Sequence, residues 1–295
     1  MKHILISGLV NTETTVRVRQ FPIPYYPIDY PFFGVNTAAS GVAYNIARAM
    51  KQLGDNVSLR SMAGQDFPAA YIRQEISTAG IGTEGIKSCL KETPSSVVLY
   101  DSAGNRQIYC DLKDIQETAY GFSQEDFRDC DIVVACNINF NRELLPLAKA
   151  AGKTIATDVH VLTDIHDEYN RDFMRYADIL FFSDEGIGEH YRRFLRELAR
   201  VYENQVIVLG RGSKGAAMYV KAQDRIYELP AVSAGPVVNT VGAGDALFSG
   251  FVHYYGTGMD PLDCLIRAQW FAAAKIRVSG ASRGFVTEAE LEALM

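Results

Sequence analysis

VVNTVGAGDALFSGF, residues 237–251, passes from two β-branched residues through two glycines into an apolar run with a carboxylate in its first turn. The pattern predicts an extended segment, a tight turn and a helix start. Amide N–H groups at such a start have no intrahelical partner and carry the positive end of the helix dipole, so they suit a phosphate oxygen. Glycine lets the anion approach the backbone closely. The usual phosphate motifs do not fit. No GxxxxGK[ST] occurs, and Leu247 stands where the dinucleotide fingerprint needs a third small residue. Two readings of Asp245 follow. It caps the helix, or it takes a proton from an alcohol while the amides of Gly242, Ala243 and Gly244 stabilise a phosphoryl group arriving there.

Outward from this turn, short apolar runs alternate with amphipathic stretches, the signature of a mostly parallel sheet covered by helices on both faces. The strand runs are HILISGLV, NVSLRSMAG, DIVVACNI, TIATDV, ADILFFS and NQVIVLG. Four stretches show helical spacing: VAYNIARAMKQLG, PAAYIRQEISTAG, NRELLPLAKAAG and EHYRRFLRELARVYE. The first three end on glycine, as helix C-termini do. Two segments break the rhythm. Residues 14–37 combine alternation with four prolines and many aromatics, and residues 95–111 alternate across a Ser-Ala-Gly-Asn turn. They predict strands outside the main sheet, forming a small β-lid.

The chain has 295 residues, enough to bury a full core, and no apolar run long enough to span a bilayer. A net charge of -6 argues against general nucleic-acid binding and leaves a small molecule as the expected partner. Cys89, Cys110, Cys130, Cys136 and Cys264 show no metal or disulfide spacing. They are expected to be reduced and mostly buried, in a cytoplasmic protein. The start, MKHILISGLV, lacks a small-residue cleavage site and reads as a first strand.

NTVGAGDALFSGF resembles the C-terminal signature of the PfkB, or ribokinase-like, sugar kinases, usually written DTxGAGD. SGVAYNIARAMKQLG, nearly two hundred residues earlier, resembles the family's front signature, with Gly41 and Asn45 at its substrate-contacting positions. Lesser matches lie between. GLVNTE carries Asn11 and Glu13 where the family has an Asn-x-Asp facing the sugar; MAGQD at 62–66 resembles its G-x-D; TPSSVVLYDSAGNR resembles its lid hairpin; and VLGRGSKGAA resembles its nucleotide-side glycine loop.

The resemblance covers essentially the whole chain and implies an α/β three-layer sandwich of nine or so strands with a β-lid. Residues 1–13, 38–94 and 112–295 would form the core, and 14–37 and 95–111 the lid. It further implies ATP as donor with Mg²⁺, and a sugar or sugar-like hydroxyl as acceptor. Asp245 would be the base and Gly242, Ala243 and Gly244 the anion hole. Asn11, Glu13, Gly41, Asn45 and Arg106 would serve the acceptor; Gly212, Lys214, Gly215 and Thr240 the nucleotide.

Departures from the signatures narrow these expectations. Asn239 replaces the family's aspartate near its cation sites, which puts monovalent-cation activation in doubt. Ser40 replaces a glycine beside the substrate, Phe67-Pro68-Ala69-Ala70 replaces the common glycine after G-x-D, and Glu13 replaces aspartate, which should shift the hydroxyls that fit. Asp184 and Glu185 offer carboxylates where many relatives order the magnesium shell. The lid aromatics Phe21, Tyr25, Tyr26, Tyr30, Phe32 and Phe33 suit a homodimer clasp or a stack on a ligand. A nucleoside kinase of the same fold stands as the first rival to a sugar kinase, and a ligand-binding protein that has lost the chemistry as the second.

Overall fold

Runs of branched apolar residues separated by helices fix the order of the elements. The computed structural model describes residues 2–295; Met1, which the sequence assigns to the core, lies outside the described residues. The chain opens with β1 (His3–Ser7), β2 (Asn11–Arg17), β3 (Val35–Ser40), α1 (Val42–Gln52), β4 (Asn56–Ala63), α2 (Phe67–Thr78) and β5 (Ile86–Ser88). A hairpin of β6 (Ser95–Tyr100) and β7 (Arg106–Asp111) precedes β8 (Ile132–Ala135), α3 (Asn141–Ala150), β9 (Thr154–Val161) and α4 (Arg171–Tyr176). Next come β10 (Ile179–Ser183), α5 (Tyr191–Val201), β11 (Val206–Gly210), β12 (Ala216–Val220) and β13 (Arg225–Leu229). Three helices close the chain: α6 (Ala243–Gly256), α7 (Pro261–Lys275) and α8 (Glu288–Glu292).

Nine strands form the main sheet in the order β13-β12-β11-β10-β9-β8-β1-β4-β5, parallel from β11 to β5 and antiparallel at the β12 and β13 edge. Both faces are covered, so its strands are apolar at nearly every position. Ile4, Ile179 and Val206 pack into one core with residues of α1, α2, α6 and α7, while the neighbouring Leu5, Leu180 and Ile207 pack into the other with residues of α3, α4 and α5. The six strand runs and four helical stretches anticipated above are present, and the three-layer sandwich with them, whereas residues 237–239 ahead of the Gly-Ala-Gly turn form no strand. Phe181 of β10 meets Phe248 and Phe251 edge-on, at 5.1 and 5.3 Å between ring centroids, and so fixes α6 against the sheet.

A second sheet, ordered β3-β2-β6-β7, holds the strands expected of a lid. It takes in more of the chain than 14–37 and 95–111, because the β2–β3 ladder begins at Asn11 opposite Ser40. The four prolines lie between the strands, not within them. A two-sided ladder leaves no place for a residue without an N–H, and the loop takes them instead. Asp66 of the MAGQD stretch caps α2 through the amide of Ala69 and also accepts from the Thr93 amide at 2.8 Å, just before the lid strand β6. One carboxylate thus ties the lid's entry to the core.

Candidate active site

Helix α6 begins at Gly242, whose φ of +80° is a left-handed conformation that disfavours any side chain. A Cβ there would also sit 2.6 Å from the Ala281 carbonyl oxygen. Ala243 donates to Thr240, whereas the N–H groups of Gly242, Gly244 and Asp245 have no acceptor among the described residues. Gly244 is exposed and its two predecessors are half-buried, so the helix head is open to a ligand. The turn before it is shaped by Asn239, whose side-chain oxygen accepts from the Val241 amide at 2.7 Å. Neutral asparagine is enough for that local turn.

Asp245 does not cap the helix. The N-cap is Gly242, and Asp245 stands in the first turn with one carboxylate oxygen 2.8 Å from the Asn45 side-chain nitrogen of α1. Burial pushes its pKa up; the charge of His160, the Asn45 hydrogen bond and the Lys275 ammonium pull it back, and Asp158 adds to the rise. A carboxyl placed at this depth holds a proton more readily than an exposed one, which is the property a general base near neutral pH needs. Asn45 itself is buried, and its side-chain oxygen has no partner among the described residues. Gly41 caps α1 with a φ of +101°, and a Cβ would come 2.4 Å from the Leu9 carbonyl oxygen, so the front signature's glycine holds α1 against the β1–β2 connection. Ser249 donates back to the Asp245 carbonyl and is a helix-face hydroxyl.

A cavity of about 770 Å³ opens between the lid and the segments flanking α6. Glu13, Arg106, Asn239, Thr240, Val241 and Arg283 are among its lining residues. Glu13 is half-buried, with its pKa raised by desolvation, lowered by the Ser40 hydroxyl 3.5 Å away and raised again by Asp245. Asn11 is not on the cavity wall. It is the buried first residue of β2, donating to Ser96 of β6 at 3.1 Å and leaving its oxygen without a partner among the described residues. Asp245 lies outside the lining too, joined to the cavity through the Val241 end of its own turn.

The glycine loop after β11 is a separate feature. Gly212 and Lys214 are exposed, Lys214 lies 3.5 Å from Glu189, and Gly215 is buried in a turn with φ +95° where a Cβ would strike the Leu229 carbonyl. Asp184 sits 3.9 Å from Arg211, and Glu185 is exposed. No cluster of three or more metal-ligating side chains occurs among the described residues. Sequence reasoning missed Asp158, His160, Lys275 and Arg283. Nothing in the local pattern marks them, because only the fold brings their charges to Asp245 or to the cavity.

The model of the pfkB family carbohydrate kinases matches residues 1–288. The chain belongs to the PfkB family of carbohydrate kinases. This PfkB protein is 24% identical over 263 residues to a fructosamine kinase of Bacillus subtilis, covering 88% of this chain and 89% of that one. It is likewise 24% identical to a nucleoside kinase of Methanocaldococcus jannaschii, covering 98% and 92%. Its fold is that of a microbiome-derived acarbose kinase, at TM-score 0.87, 24% identity and coverage of 99% and 98%. It is also that of the Arabidopsis thaliana ribokinase complexed with ribose and ATP, at TM-score 0.85, 19% identity and the same coverage. The ribokinase-like architecture follows from these structures, and membership of a carbohydrate kinase family from the match over residues 1–288.

Proposed function

We propose that this PfkB kinase transfers the γ-phosphoryl group of ATP to a hydroxyl of a sugar or sugar-like acceptor. The observation that carries the reading is the disposition of Asp245, which is bound to Asn45 rather than used as a cap and stands beside three unpartnered amides. In this reading the open amides of Gly242 and Gly244, with Ala243 between them in the same turn, hold the migrating group, and Asp245 takes the acceptor's proton as the oxygen attacks. Of two further polar groups on the cavity wall, Arg106 donates from the lid, and the Glu13 carboxylate accepts hydrogen bonds from the acceptor's hydroxyls. The segments at Gly212, Lys214 and Gly215, with Thr240, serve the nucleotide.

No cage of metal-ligating side chains occurs among the described residues, and Asp184 is already near Arg211. These donors fit Mg²⁺ held chiefly by phosphate oxygens and water, with Asp184 or Glu185 on the outer shell. Bound in that way it offsets the charge of the phosphates. Five unpaired cysteines support a cytoplasmic setting. The lid exposes Tyr25, Phe32 and Phe33 in its loop and Ile108 and Tyr109 on β7, an apolar surface that suits a homodimer through the lid.

ATP consumption against a panel of pentoses, hexoses, amino-sugar adducts and nucleosides tests the assignment. Turnover of at least one sugar-like alcohol is expected. Turnover of nucleosides alone moves the protein to nucleoside phosphorylation, and ligand binding without any turnover removes the catalytic reading.

A further inference from the structure

Lys275 is the last residue of α7 and is fully buried. Lysine seldom occupies such a place without a carboxylate partner, and no carboxylate lies within ion-pair distance among the described residues. Its ammonium instead donates to the Gly280 carbonyl at 2.8 Å, with the Val278 carbonyl 3.5 Å away. Both carbonyls belong to the loop that follows α7. The same region pins the turn before α6, because the Ile276 carbonyl accepts from the amides of Val238 and Asn239 at 2.9 and 3.1 Å. Gly242 rests on the lysine itself: a Cβ there would lie 3.1 Å from Cε of Lys275 and 2.6 Å from the Ala281 carbonyl. The lysine is thus the floor under the open amides.

At the end of α7 a cation complements that helix's dipole, but at the head of α6 it adds to a positive end that is already unpaired. The second contact is unfavourable until an anion arrives. Burial lowers the lysine's pKa to about 8, and the charge of Asp245 raises it. The ammonium and Asp245 therefore sense one another across the site where the phosphoryl group would pass.

We propose that Lys275 is a built-in cation of the anion hole, a positioning residue that holds the Val278–Gly280 carbonyls and Gly242 in place and adds positive field to the migrating group without touching it. The inference rests on the phosphoryl-transfer reading above. It assigns to a side chain the work that a dissolved monovalent cation could do at a cluster of carbonyl oxygens.

The wild-type enzyme, assayed on its best acceptor in sodium, potassium and tetramethylammonium buffers, is expected to keep kcat within about twofold. Lys275→Ala is expected to lose kcat by about tenfold or more with a smaller change in the KM for ATP. Methylammonium or potassium should restore part of that kcat, tetramethylammonium should not, and none should change the wild type. Lys275→Met fills the space, so it should show the loss without the rescue. A wild type that needs potassium overturns the proposal. So does either variant with near-normal kcat, or a folded Lys275→Ala of unchanged melting temperature that no small cation rescues. Should neither variant fold, the cation dependence of the wild type decides alone. A wild type with no turnover on any acceptor refutes phosphoryl transfer itself, and this proposal with it.

Discussion

Strand β11 of the main sheet and strand β7 of the lid are both short, yet their surroundings are opposite. β11 is buried from Val206 through Leu209, with alternate side chains in two different cores, whereas all six residues of β7 are exposed. The first is held from both faces and has no freedom to shift. The second is an edge strand whose only ladder is to β6, an arrangement that yields to a ligand at lower cost. Chemistry that depends on sub-ångström placement belongs on elements of the first kind, and recognition that tolerates closure belongs on the second. Asp245 and the open amides stand on α6, which is packed against β10 and α7; Glu13 and Arg106 stand on the lid.

The contrast is broken most severely at Asp245. Replacing it with asparagine should lower kcat by about a thousandfold or more while ATP affinity changes by a small factor. The same variant should melt higher than the wild type at neutral pH. The raised pKa of Asp245 means that folding favours its protonated form, so the stability it contributes is full below the ordinary carboxylate range and is lost as pH rises through the raised value. The gain in melting temperature should accordingly shrink toward pH 4, which calorimetry at several pH values checks. Activity should show the reverse dependence, with an acid limb of kcat/KM above the usual aspartate value of 3.8.

Gly242→Ala should come next. Its Cβ meets backbone at 2.6 Å and its φ is positive, so a stability loss of about 1–3 kcal/mol is expected with about a hundredfold fall in kcat. Gly244→Ala sharpens the result, since a Cβ there meets nothing within 4 Å and alanine favours the helix. Its melting temperature should hold or rise, leaving any loss of kcat to the anion hole itself. On the lid side, Glu13→Gln should raise the acceptor KM by about tenfold and leave the KM for ATP nearly unchanged. The smallest effect is expected for Phe33→Ser in the lid loop, which should shift the protein toward monomer in size-exclusion chromatography and change kcat by less than about twofold.

The same division decides what the sequence made legible. Core strands and helices announce themselves because burial on both faces or along one stripe imposes a period, as in HILIS and in the α1 stretch around Asn45. The Gly-Ala-Gly-Asp turn was legible because a left-handed backbone position restricts the residue type at Gly242. The lid was visible only as an interruption of that rhythm. Its strands reach Asn11 and Ser40, further than the prolines suggested, because pairing is a property of two segments and not of either alone. Lys275 gave no sign. At the end of an amphipathic helix a lysine reads as solvated and dipole-complementing, and only the return of the 276–284 loop encloses it. His160 near the end of β9 and Arg283 in that loop were hidden because only the fold brings them toward Asp245 or to the cavity.

The account turns on whether the head of α6 receives the phosphoryl group. Amide resonances of Gly242, Gly244 and Asp245, followed by NMR as a non-hydrolysable ATP analogue, Mg²⁺ and the acceptor are added together, test this directly. The account predicts that these three amides shift downfield more than those of the lid loop, as donors do when they bind an anion. Unmoved resonances there, in a complex whose other amides report full occupancy, would contradict it.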